Sequence, residues 1–154
     1  RQMHALQNLG EQLVDLSAAQ LAKLNIDNEA LIEAVQLAQR ISHRSGRRRQ
    51  MQFIGKLMRS ADAEQIADAL DALHETSRKA KAQERVIEGA RDALLARGDE
   101  ALPEVLAIWP HGDRQLIRQL TRSAHEERQR DQSPTSSRKL FRYLRSLSEA
   151  LAED

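Results

Sequence analysis

The chain contains no cysteine, which excludes a disulfide framework and any thiolate metal site. Aromatic residues make up only 3% of it, and the hydrophobic 40% is mostly Leu, Ala and Ile. That composition fills a helical core and suits a β-sandwich poorly. No apolar run approaches the roughly 18 residues that span a bilayer, and no signal-like hydrophobic segment opens the chain. The first residue is Arg1 rather than Met, as expected of a fragment whose native N-terminal extension is missing.

Catalytic signatures are absent too. The five histidines are His4, His43, His74, His111 and His125, and no two stand four apart as in a zinc-binding helix. Gly55-Lys56 is followed by Leu57 where a phosphate-cradling loop needs Ser or Thr. Nothing brings a nucleophile to a base. The expectation is a protein with no catalytic residues, no metal, no cofactor and no small-molecule substrate.

What is present is helix-forming sequence. Leu6, Leu9, Leu13 and Leu16 recur at helical spacing within 2–16. A short helix over 18–24 follows Ser17, and Asp27 is placed to cap a helix over 28–42. Ser45-Gly46 interrupts the pattern, and a helix resumes over 47–59. A long helix-favouring run covers about 62–97, nearly without an apolar stripe from Arg78 to Arg85. It reads either as one solvated helix or as two helices broken near Thr76-Ser77. Gly98 is a C-cap, Leu102 to Trp109 a short helix, Asp113 the cap of a helix over 114–129, and Ser136 or Ser137 the cap of the last. Trp109 reads as a packing anchor and Phe141 as core. The predicted fold is all-α: two small helical-bundle lobes, 1–77 and 78–154, connected by the long helix.

The halves invite comparison. One shift lays Leu9 on Leu94, Leu21 on Leu106 and Leu31-Ile32 on Leu116-Ile117. A shift three longer lays Arg49–Met58 over Ser137–Ser146 and Phe53 on Phe141. Internal repetition and coincidence among Leu-rich helices both account for this.

Charge is segregated. From Ala34 to Ala61 there is no Asp or Glu, yet the stretch holds Arg40, Arg44, Arg47, Arg48, Arg49, Lys56 and Arg59. Asp62 to Glu75 then holds five acids and no Lys or Arg. On the helix over 47–59, Met51, Ile54 and Met58 face one way while Arg48, Gln52, Lys56 and Arg59 face another. Arginine forks donate paired hydrogen bonds to phosphate, and Gly46 would admit backbone close to such an anion. A second tract comprises Arg114, Arg118 and Arg122 on one helix, then Arg138, Lys139, Arg142 and Arg145 on the last, with Tyr143 placed to stack on an unpaired base. From Gln132 to Ser148 there is again no acid. Two acid-free, Arg-rich tracts point to a polyanion, RNA before a membrane surface. A charge-patterned adaptor that binds other proteins without RNA contact is the alternative.

Gly46-Arg47-Arg48-Arg49-Gln50-Met51-Gln52-Phe53-Ile54-Gly55-Lys56-Leu57-Met58-Arg59 closely resembles the signature of the DarP (YjgA) family of proteobacterial ribosome-associated proteins. Arg97-Gly98-Asp99, Trp109-Pro110 with Asp113-Arg114-Gln115, and Ser137-Arg138-Lys139-Leu140-Phe141-Arg142-Tyr143-Leu144-Arg145 extend the resemblance along the chain. It implies a two-lobed helical assembly factor that binds rRNA in late precursors of the large (50S) subunit. It also implies a role in maturation of the peptidyl transferase centre region. The partners expected are large-subunit rRNA and pre-50S particles, the compartment cytoplasmic, and the free protein monomeric. The acidic N-terminal extension usual in the family is lacking here.

Overall fold

The computed structural model describes residues 2–153, with side chains described for residues 4–152. Among the described residues every regular element is helical: α1 Gln2–Val14, α2 Ala18–Lys23, α3 Glu29–Arg40, α4 Arg44–Ser60, α5 Ala63–Arg97, a 3₁₀ turn Gly98–Ala101, α6 Leu102–Ile108, α7 Arg114–Gln129 and α8 Thr135–Glu153. No helix among them is long and apolar enough to cross a membrane. The long run is one unbroken helix, α5, rather than two. The chain divides into two compact units, Arg1–Ser77 and Arg78–Asp154.

In the first unit α1, α3 and α4 enclose a core of Leu9, Leu13, Leu31, Val35, Ile54 and Met58, with Ile66 and Leu70 from the start of α5. Side-chain oxygens satisfy the orphan N–H groups at helix starts. Ser17 Oγ accepts from Gln20 N at 3.2 Å while Gln20 Oε1 accepts from Ser17 N at 3.0 Å, a reciprocal capping box. Asn28, not Asp27, caps α3, accepting from Leu31 N at 3.1 Å. Two glutamines fix the packing of helices. Gln39 Nε2 on α3 donates to the carbonyls of Val14 and Leu16 at the end of α1 (3.1 and 2.8 Å). Gln50 Nε2 on α4 donates to Ala34 O on α3 at 2.9 Å. Gly10 is what lets α4 close on α1: a Cβ there would stand 3.0 Å from Ile54 Cγ2.

The second unit buries Ile87 and Leu94 of α5 with Leu102, Val105, Trp109, Ile117, Leu140 and Leu144. Gly98 has φ +59° and ends α5 in the left-handed region that glycine tolerates. Asp113 caps α7, accepting from Leu116 N at 3.2 Å. Glu127 accepts from Ser136 N with both carboxylate oxygens at 3.1 Å, placing negative charge at the start of α8.

The two units share a plan: a helix, a short helix, then an antiparallel pair. Burial sets the register between them. Leu31 and Ala38 correspond to Ile117 and Ala124, and Ile54 and Met58 to Leu140 and Leu144, all buried. The longer shift, which pairs Phe53 with Phe141, would set buried Ile54 against exposed Arg142 and fails for that reason. In the burial register Phe53 corresponds to Lys139, and Gln52, Lys56 and Arg59 to Arg138, Arg142 and Arg145.

Candidate nucleic-acid-binding surface

Helix α4 carries the first basic tract. The sequence interruption expected at Ser45-Gly46 lies instead at 41–43, and α4 begins at Arg44. Gly46 therefore sits in the first helical turn rather than in a loop, packed so that a Cβ would lie 3.4 Å from Ile41 Cγ2. The N-cap His43 makes no side-chain cap hydrogen bond; its Nδ1 lies 3.0 Å from Ser45 Oγ. Among the described residues the first N–H groups of α4 thus have no side-chain acceptor, amid Arg44, Arg47, Arg48 and Arg49. An uncapped helix start in that setting favours anions.

Ile54 and Met58 are fully buried while Arg48, Gln52, Lys56 and Arg59 are exposed, which holds the cationic face outward. Arg40 is exposed in the last turn of α3. None of Arg40, Arg44, Arg47, Arg48, Arg49, Lys56 and Arg59 forms an ion pair among the described residues. Two adjoining hollows run between α1 and α4. The larger, about 970 Å³, is lined by Arg44, Arg47, Arg48 and Arg49, with Glu11 its one carboxylate. The smaller, about 350 Å³, is lined by Gly55, Lys56 and Arg59; both share Gln7, Met51 and Gln52.

The second tract is built differently. Arg138, Lys139 and Arg142 are exposed on α8. A hollow of about 320 Å³ between α5 and α8 is lined by Arg91, Ser137, Arg138, Phe141 and Arg142. In the burial register its α8 residues match Met51, Gln52, Gly55 and Lys56 of the first unit, so each unit has a hollow at the matching positions of α4 or α8. Other cations of this tract are engaged internally. Arg118 Nη2 meets Asp99 Oδ2 at 3.0 Å and Arg122 Nη2 the same oxygen at 3.8 Å. Arg145 Nη2 donates to Glu84 Oε1 at 2.7 Å. Arg114 is exposed at the start of α7. Tyr143, read as a stacking residue, is half-buried, and its hydroxyl accepts from Asp113 N at 2.8 Å. Phe141 is not deep core: the guanidinium carbons of Arg91 and Arg145 lie 5.2 and 4.8 Å from its centroid. Trp109 is buried, as an anchor should be.

Sequence reasoning missed Arg91 in this group, because only the packing of α5 on α8 brings it there. Phe53, a landmark of the alignment and of the family signature but not of the binding residues expected, is an exposed ring. Among the described residues no group of three or more acids, histidines or cysteines stands together as metal ligands do.

The architecture defines a class: a two-unit protein, helical throughout its described residues, in which one helix of each unit, α4 or α8, turns a cationic face outward. The profile of the family described as "Dual-action ribosomal maturation protein DarP" matches residues 1–145. Proteins of that name from Edwardsiella ictaluri and Cronobacter sakazakii are 47% and 45% identical over 150 residues. A third, from Pectobacterium carotovorum subsp. carotovorum, is 44% identical over 149 residues. Each match covers 97% of this chain and 80 or 81% of the relative. The chain belongs to the DarP family of ribosomal maturation proteins.

Proposed function

We propose that this protein acts, without catalysis, on precursors of the large (50S) ribosomal subunit, binding rRNA through the outer faces of α4 and α8. Arg44, Arg47, Arg48, Arg49, Lys56 and Arg59 neutralise phosphates from the first unit, and Arg138, Lys139 and Arg142 from the second. Arg114, Arg118, Arg122 and Arg145 stand at the margin, three of them already paired with a carboxylate. In keeping with the family resemblance, the role is promotion of maturation around the peptidyl transferase centre.

The observation that carries this reading is the set of α4 cations, exposed and without a carboxylate partner among the described residues. A solvated surface helix usually interleaves both signs; α4 has no acid at all. Folded RNA is met mainly through backbone and shape, which asks for outward cations on a rigid support. Neutralising phosphates releases counterions, so affinity falls steeply with salt.

The test is a salt titration of the protein on purified large-subunit precursor RNA. The expected result is a linear fall of log affinity with log salt, with a slope reduced by about one for each α4 cation replaced by Gln. Salt-independent binding, or a slope untouched by those replacements, would favour the protein-adaptor reading.

A further inference from the structure

Four aromatic residues occur in the chain, and three are engaged within the second unit. Trp109 is buried, Tyr143 accepts from Asp113 N, and Phe141 faces Arg91 and Arg145. Phe53 is the exception, with 48% of its surface exposed. It lies on α4, where Ile54 and Met58 already supply the buried contacts. One turn before it is Arg49 and just under one turn after it is Lys56, both exposed and neither ion-paired among the described residues. At about 1.5 Å per residue the two cations stand about 10 Å apart along the axis with the ring between them. The corresponding position in the second unit is Lys139, so the shared helical plan does not require an aromatic there.

We propose that Phe53 stacks on an unpaired nucleobase, while Arg49 and Lys56 hold phosphates of the same strand on either side. The proposal rests on the RNA reading above and adds a single-stranded element to it. A half-exposed ring retains apolar surface that water solvates poorly, and every base has a π-face to cover it. The surrounding charge selects the occupant. An apolar protein partner gains nothing from two unpaired cations beside the ring, whereas a nucleotide supplies both the flat face and the phosphates. Binding energy from the ring adds to single-stranded segments, loops and bulges and contributes nothing to a fully paired helix, whose bases are already stacked.

The experiment compares a single-stranded RNA 12-mer with a duplex of the same length at one salt concentration. The proteins are wild type, Phe53→Leu and Phe53→Trp, each first shown to keep the wild-type helical content and melting temperature. Phe53→Leu is expected to bind the single strand about tenfold more weakly and the duplex unchanged. Phe53→Trp is expected to retain single-strand affinity, with its added indole fluorescence quenched on binding. Wild-type single-strand affinity in Phe53→Leu would overturn the proposal, as would an equal loss on both RNAs. Loss of Phe53→Leu from precursor particles with RNA affinity unchanged would overturn it in favour of a protein partner. A wild-type protein that binds neither RNA would instead sink the RNA reading itself.

Discussion

An arginine counts toward RNA affinity only if its charge is not already spent. Arg48 has no carboxylate partner among the described residues, whereas Arg118 and Arg122 share Asp99. Replacing Arg48 with Gln should therefore weaken RNA binding more than replacing Arg118 with Gln. Conversely, Asp99→Asn should release two cations and raise both the affinity for precursor RNA and its salt slope; unchanged values would show that the pair does not compete with phosphate. The Arg97–Glu104 pair is a separate case, with two hydrogen bonds of 2.8 and 2.5 Å. The hydrogen bond from Arg97 holds the Glu104 carboxyl below its ordinary range, and the guanidinium charge adds to this while desolvation opposes it. A depressed carboxyl stabilises the fold fully above its unfolded pKa, and that contribution is lost as pH falls through the folded value. Glu104→Gln should thus melt slightly earlier than wild type at neutral pH, with the gap closing in acid. The charges themselves were legible in the sequence, because an acid-free stretch needs no structure to be seen. Which of them had partners was not: Asp99 meets Arg118, and Glu84 meets Arg145, across separations that no local pattern reports.

At the level of elements, α4 is the part that must be held rigid. Its seat is the contact between Gly10 and Ile54, where an added methyl would sit 3.0 Å from a fully buried side chain. Gly10→Ala gains about 1 kcal/mol of helix propensity but overpacks at a cost of about 1–3 kcal/mol. Its melting temperature should fall, and a rise would show that α1 and α4 can part freely. Ile54→Ala, which empties the same contact, should cost about 2–5 kcal/mol in a denaturant titration. Most helices were legible from apolar spacing and capping residues, and the all-helical class with them. The start of α4 was not, because Gly46 is a poor helix former, yet it lies in the first turn of the helix. The register between the units was not legible either. Leucine-rich helices align acceptably at several offsets, and only the burial of Ile54 and Leu140 selects one. That selection separates Phe53 from Phe141 and leaves the former as the exposed ring of the basic helix.

The whole chain repeats one device. In each unit one helix, α4 or α8, has buried Leu, Ile or Met on one side and cations on the other, beside a hollow shared with α1 or α5 respectively. Two such faces on one chain raise each other's effective concentration when they engage one RNA. Loss of either should weaken association with a precursor particle more than its own few contacts would. Among the described residues α4 has more cations without an ion-pair partner than α8, and the α4 segment is the one that carries the family signature. The direct measurement is a sucrose-gradient profile of lysate expressing either wild type or the triple variant Arg47→Glu, Arg48→Glu, Arg49→Glu, with folding checked by helical content and melting temperature. Wild type is expected in the fraction of large-subunit precursors and the folded triple variant at the top of the gradient. A folded triple variant that still migrates with the precursors would show that these arginines do not hold the protein on the particle.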